Sequence, residues 1–381
     1  MSLNGPIPAR PPLTVLAVSA CAACLAGPTP PGQSPNNPSF DVTECSIPQT
    51  LIFDGGPGKD GIPALTNPTL VAPGASGTEY LQDADRVIGL VVEGQPVAVP
   101  LRIGWWHEIV NLDLGGKRVA VTHCPLTGSS LVFDRRSAGN NTFGVSGLLF
   151  MNNLIMYDRS AEESLWPQLS RGARCGARRG TNATMIPSFE MTWGGWKALY
   201  PDTRVVSSKT DIPRNYSYYP YGDYDRPDNP DLLFPMPGGL DRRRPPKERV
   251  LAIPLGDSAG VAFPFGALQA LGNLAVVNTS VGNQPIVVFW AAASGAAAAF
   301  SATSGGAKRT FRVQSDQIVD DESGSSWRVD GLATSGPLAG TRLDPVAEAF
   351  VVYWFAWPAF YPAGELWTPA QAAPPRQEAA P

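Results

Sequence analysis

Hydrophobic and polar positions along this chain fall into short runs rather than long helical stripes. The runs RVIGLVVEG (86–94), PVAVPLRIG (96–104), KRVAVTHC (117–124), SSLVFDR (129–135), TFGVSGLLFM (142–151) and NLIMYDR (153–159) are rich in β-branched residues, and turn residues separate them. Each has the length of a single strand. Helix is expected only in short pieces, Trp105 to Asn111 and Trp193 to Leu199. The pattern predicts a mainly β, β-rich α+β protein of sandwich or barrel-like lobes.

The chain also repeats itself. Asp85-Arg86-Val87-Ile88-Gly89 returns as Glu248-Arg249-Val250-Leu251-Ala252, Pro96 to Pro100 as Gly260 to Pro264, and Thr142-Phe143 as Thr310-Phe311. Phe189, Trp193, Trp196, Tyr200 and Pro201 match Phe350, Trp354, Trp357, Tyr361 and Pro362 in one register. Such agreement predicts a tandem duplication, with lobes at 51–202 and 248–363 related by a pseudo-twofold axis. Between them, 203–247 holds Tyr216, Tyr218, Tyr219, Tyr221 and Tyr224, half of the ten tyrosines. That is too aromatic for a free linker, so an ordered strap across both lobes is expected. The last residues, 364–381, read as a disordered tail.

Composition narrows the class. Gly and Pro, 39 of each in 381 residues, argue against a helical bundle, while 43% apolar and 16% charged residues exclude an acidic disordered chain. A net charge of −4 gives no electrostatic reason to expect nucleic acid.

Near the N-terminus, Leu13 to Ala20 forms an apolar segment too short to span a bilayer. Val18-Ser19-Ala20-Cys21 then has the form of a lipobox, so 1–26 reads as a signal peptide with Cys21 lipidated, and 27–50 as a Pro-rich tether to the membrane. Ordinary secretion with cleavage near Ala26, or an uncleaved N-terminus, are the other readings. Export implies an oxidising compartment. A bridge between Cys45 and Cys175 is one of several pairings open to the remaining cysteines, Cys24 and Cys124 included.

The chain has two histidines, His107 and His123, and both lie close to Cys124 in sequence. The repeat places Trp290 and Ala291 opposite His123 and Cys124, so one lobe keeps reactive side chains that the other lacks. Thr122-His123-Cys124-Pro125-Leu126-Thr127-Gly128 leaves a strand for a Pro/Gly turn, where backbone N–H groups lower a thiol pKa. The spacing is that of Cys-x-x-Cys with Thr127 in the second position, so a redox cycle needs an external thiol, a sulfenic acid or a metal. His107, His123 and Cys124 also compose a copper or zinc first shell, with Met151 and Met156 as thioether donors. Against this, His123 and Cys124 point to opposite faces if the strand continues through both. The plain alternative is that His107 caps a turn and Cys124 is a small buried hydrophobe. HEIVN (107–111) lacks the second histidine of a metalloprotease helix, GVSGL (144–148) is not a nucleophile elbow, and RGARCGARRG and DRRRPPKER read as solvated loops.

With these strings assembled, the chain resembles the bacterial domain-of-unknown-function family 3179 (DUF3179). The resemblance rests on KDGIPAL (59–65), RVIGLVVEGQPVAVPL (86–101), HEIVN, VAVTHCPLTGSS (119–130), TFGVSGLLF (142–150), LIMYDR (154–159), SLWPQ (164–168) and WKALYPDT (196–203), in that order. Many relatives carry Cys-Pro-Leu-Cys-Gly, some with selenocysteine second, which implies redox chemistry at this loop. Thr127 departs from that pattern, so only Cys124, with His107 and Glu108 as the matching pair, carries over.

The leading expectation is therefore an exported, envelope-anchored lipoprotein with a single-thiol, redox-type site. In it Cys124 is assisted by His107 and His123 as proton carriers and by Glu108, Arg135 and Asp158. The alternative is a non-catalytic protein whose first lobe binds a small ligand or a metal in a pocket with Tyr157, Trp166 and Trp193. Expected partners are the membrane and an external thiol.

Overall fold

The computed structural model describes residues 40–369; the signal-peptide, lipobox and Cys21 expectations lie outside them. The protein is mainly β, with short helices at Leu101–His107, Trp193–Leu199, Phe265–Gln269 and Ala356–Phe360. The first begins earlier than expected and is over by His107. Pro100 (φ −65°) sets its start, and Glu108, at φ 56°, breaks it and launches the strand Ile109–Leu114.

Strand pairing recurs along the chain. Arg86–Val92 and Gln95–Pro100 form a hairpin, closed by Glu93 and Gly94 at φ 48° and 74°. It is flanked by Phe189–Thr192 on one side and, in parallel, by Arg204–Val206 on the other. Arg249–Leu255 and Ala259–Pro264 form a second hairpin, flanked by Phe350–Tyr353 and, again in parallel, by Ala363–Leu366. A short helix follows each hairpin, and then a three-stranded meander. The first meander is Ile109–Leu114, Lys117–Cys124 and Ser129–Asp134; the second is Leu274–Val281, Gln284–Ala291 and Ala296–Ser301. A further antiparallel set starts at Phe143–Phe150 in one half and Phe311–Gln314 in the other.

The halves are not separate lobes. Ser129–Asp134 pairs with Phe350–Tyr353 through Ser130 and Val351, so one nine-stranded sheet runs from the first meander into the second hairpin. Reciprocally, Arg86 Nη2 donates to the Gly295 carbonyl at 3.1 Å, and Ala296 is buried with Trp193 and Trp196. The expected boundaries shift accordingly. Arg204–Val206 belongs to the first half, beyond residue 202, and Ala363–Leu366 is an ordered edge strand followed by the buried Trp367, where 364–381 is expected to be disordered. The C-terminal end of the expected tether is also packed, because Cys45 is disulfide-bonded to Cys175 and Val42 is buried.

Residues 207–248 contain no strand or helix, yet they pack on both halves. Tyr224 donates its hydroxyl to the Leu126 carbonyl (3.0 Å), Asn152 brackets the Phe234 backbone, and Trp354 Nε1 donates to the Asp241 carbonyl. The basic stretch here is not simply solvated. Lys247 is fully buried, its ammonium 3.6 Å from the Tyr224 ring centre and donating to the Asp231 carbonyl. In the other stretch, Arg171 donates to the Tyr361 hydroxyl and the Gly256 carbonyl, and Arg174 lies 3.7 Å from Asp257, so both guanidiniums reach the second half.

Strand alternation positions the candidate chemistry. In Lys117–Cys124, Val119 and Val121 face one apolar cluster with Leu90, Val99 and Ile103. Ala120 and Cys124 face another, with Phe143 and Trp166. Regular pairing persists to the last residue, where Cys124 opposes Ser129. His123 and Cys124 therefore lie on opposite faces.

Candidate functional site

Cys124 is fully buried. Its Sγ accepts from the Leu154 N–H (3.4 Å) and approaches the Asn152 carbonyl at 3.7 Å. The Thr127 side chain and backbone N–H also act on the sulfur and hold its pKa down. Thr127 itself is fixed by Asn153 Nδ2 (2.9 Å), in a buried network that runs on to Ser129, Gln168 and Thr122. The expected loop donors are thus present, but they do not decide the outcome. Burial, with the nearby Glu108 carboxyl, pushes the thiol up to about 11, so it is protonated at neutral pH. The turn is held closed from outside: Gly128 sits at φ 57°, and a Cβ there would lie 2.5 Å from the Tyr353 ring.

Neither histidine serves this thiol. His107 has Nδ1 2.7 Å from the Pro63 carbonyl and Nε2 2.7 Å from the Tyr216 hydroxyl, which pins the strap. His123 Nδ1 lies 3.2 Å from Ser130 Oγ on the opposite face of the strand. Burial pulls both imidazoles down to about 4, so both are neutral at pH 7 and neither is poised as a proton carrier. The His107, His123, Cys124 metal set is not assembled. Among the described residues, no cluster of three or more His, Cys, Asp or Glu side chains is placed to hold a metal. Met151 and Met156 are core residues.

The other expected positions are held in pairing and packing contacts. Arg135 is buried and paired with Asp113. Tyr157 donates to Asp60, and Asp158 accepts from Trp166 Nε1 at 2.8 Å. Trp193 lies in a different cluster from Tyr157 and Trp166, so the three share no pocket.

A cavity does exist, built from other residues. It measures about 490 Å3 and is walled mainly by apolar side chains, among them Ile62, Trp105, Trp106, Leu148 and Leu154, with Tyr218, Tyr221 and Phe234 closing it from the strap. Glu108 reaches into it. This residue combines three unfavourable features. It is non-glycine at φ 56°, it is 6% exposed, and no hydrogen bond to its carboxyl stabilises the charge. Burial raises the carboxyl to about 8. Its backbone is firmly held, with its N–H on the Gly104 carbonyl (2.9 Å) and its carbonyl on the His123 N–H (2.7 Å). The fold thus forces a carboxyl into an apolar space beside Cys124. The sequence signal for this wall was the pair Trp105-Trp106 directly before His107 and Glu108.

The family model described as "Protein of unknown function (DUF3179)" matches residues 59–364. The chain belongs to the DUF3179 family. That span takes in both hairpins, the strap and every wall residue of the Glu108 cavity except Gly55 and Pro57. No curated protein and no solved structure matches the chain. Among the described residues, no helix is long and apolar enough to cross a membrane.

Proposed function

We propose that this DUF3179 protein binds a small, largely apolar molecule in the Glu108 cavity, with the Glu108 carboxyl as its polar anchor. The observation that carries the reading is Glu108 itself. A strained, buried carboxyl without a protein partner is costly, and such residues concentrate at functional sites. The volume and apolar walls suit a ligand site. A Nile red titration tests this. Wild-type protein should bind the dye with a rise and blue shift in emission, and a Leu148→Trp variant, which fills the cavity, should not. Equal binding by both, or none by either, rejects the reading.

Thiol chemistry at Cys124 is the second reading, favoured by the Leu154 and Thr127 donors that converge on the sulfur. With Leu126 and Leu154 forming the wall beside it, this thiol would meet reactants that enter the cavity rather than bulk oxidants. Export as a lipoprotein remains part of the proposal. Its support is the lipobox at Val18 to Cys21 and the Cys45–Cys175 disulfide, a bond that persists in oxidising compartments. Mass spectrometry of the mature N-terminus should find a diacylglyceryl group on Cys21. The recurring strand order is likewise read as descent from a duplicated unit.

A further inference from the structure

A second cavity, of about 170 Å3, lies on the opposite face of the Lys117–Cys124 strand, between the two halves. Arg86, Arg102, Trp105 and His123 line it from the first half, and Arg249 and Tyr353 from the second. Behind it, Glu190 Oε1 is shared by Arg86 Nε at 2.7 Å and Arg249 Nε at 3.5 Å, and its Oε2 accepts the Ser130 hydroxyl at 2.6 Å. Having donated to Glu190, Ser130 Oγ is left as an acceptor for His123 Nδ1. The neutral imidazole therefore carries its proton on Nδ1, and Nε2 is bare. The Cδ2 edge packs on Gly104, where a Cβ would come within 3.0 Å of it, and the ring also lines the cavity.

One donor here is poorly met. Arg249 Nε is buried without a hydrogen bond, its nearest carboxylate oxygen being Glu190 Oε1 at 3.5 Å, whereas Arg102 Nε is already paired with Asp85 at 2.7 Å. A buried donor without an acceptor is costly, more so when charged. A guanidinium is best satisfied by a carboxylate in fork geometry. The bare Nε2 asks for the reverse, a ligand hydroxyl that donates. With Asp85 and Glu190 paired to the guanidiniums and Asp225 on the wall, the site carries little net positive charge, so a single carboxylate is tolerated far better than a dianion.

We propose that this cavity binds a small hydroxycarboxylate, its carboxylate on Arg249 and Arg102 and its hydroxyl donating to His123 Nε2. The site shares only Trp105 with the apolar cavity, and the proposal would survive the failure of that reading. Because the chain has two histidines, long-range proton–nitrogen NMR of the intact protein resolves each imidazole. Titration with glycolate, against matched sodium chloride, should shift the His123 nitrogen signals saturably and leave His107 unmoved. Acetate, lacking the hydroxyl, should bind more weakly. Arg249→Gln and Arg102→Gln should each weaken glycolate binding about tenfold or more, with an unchanged His107 signal reporting an intact fold. The proposal is overturned if glycolate leaves His123 unmoved, if sulfate binds more tightly than glycolate, or if both arginine variants bind as wild type does.

Discussion

Asn111 and Asn278 make the same pair of hydrogen bonds in the two halves of the chain. Asn111 Nδ2 donates to the Phe143 carbonyl and its Oδ1 accepts the Phe143 N–H, both at 2.9 Å. Asn278 does the same to Phe311, at 2.7 and 2.9 Å. Each amide ties the first strand of a meander to the first strand of the next antiparallel set. A pairing order that recurs is thereby held by a side chain that recurs, and the same is true of Trp166 on Asp158 and Trp327 on Asp320.

The two asparagines differ in burial, and that difference predicts unequal costs. Asn111 is fully buried and also donates to the Leu65 carbonyl, whereas Asn278 is exposed. Asn111→Ala strands buried backbone groups and should cost about 2–4 kcal/mol; Asn278→Ala, open to replacement by water, should cost about 1 kcal/mol. Denaturant midpoints of the two variants check this. Equal losses would mean that burial does not set the value of the bracket.

What was legible in the sequence was periodic. Alternation gave the strands and placed His123 and Cys124 on opposite faces, and the helix expected at Trp193–Leu199 is present. Proximity in sequence misled at the site. His107, His123 and Cys124 are near neighbours along the chain, but one helix break and one strand alternation send them to three environments. Glu190, Ser130 and Arg249 meet only through pairing across the two halves, and a single sequence has no local signal for that. The positive φ of Glu108 was equally hidden, since glutamate is not a residue that announces it.

Cys124 should be a poor nucleophile in the folded protein. With the thiol at about 11, the thiolate fraction at pH 8 is on the order of 0.001, against about 0.2 for an ordinary cysteine. Alkylation by iodoacetamide, followed at Cys124 by peptide mapping, should therefore be roughly two hundredfold slower in native than in denatured protein. Burial slows it further. Labelling at the denatured rate would instead restore the case for an activated thiol.

The Cys45–Cys175 bridge closes a long loop, with a sequence separation of 130. In the chain-entropy model such a cross-link stabilises by about 4–5 kcal/mol, mainly by restricting the unfolded chain. It also fastens the Phe40–Ile52 stretch, whose Ser46 N–H reaches the Arg174 carbonyl at 2.7 Å. Cys45→Ser together with Cys175→Ser should lower the denaturant midpoint by that order, and limited proteolysis should begin near residue 45. A reducing agent should reproduce both effects in wild type and neither in the double variant.

Glu108 gives the protein an unusual dependence on pH. Its carboxyl titrates near 4.5 in an unfolded chain and near 8 when folded. Between those values the folded state holds a proton that the unfolded state has lost, so this group's contribution is complete below about pH 4.5, declines as pH rises, and levels off above about 8. The total is on the order of 5 kcal/mol. The histidines act oppositely. Their folded values near 4 lie below the ordinary 6.5, so their contribution is present above 6.5 and lost as pH falls toward 4. The opposing slopes overlap at acid pH, and between about 6.5 and 7.5 the Glu108 slope dominates; near 8 buried Lys247, lowered to about 8, begins to act against it. Wild-type stability from urea unfolding should thus fall across that interval. Glu108→Gln, which cannot ionise, should abolish the fall and be the more stable protein at pH 9. Subtracting the two curves cancels the histidines and should leave a decline from about 4.5 to 8. A flat difference would show that Glu108 ionises normally in the folded chain, and would remove the physical basis for treating it as the polar anchor of the cavity.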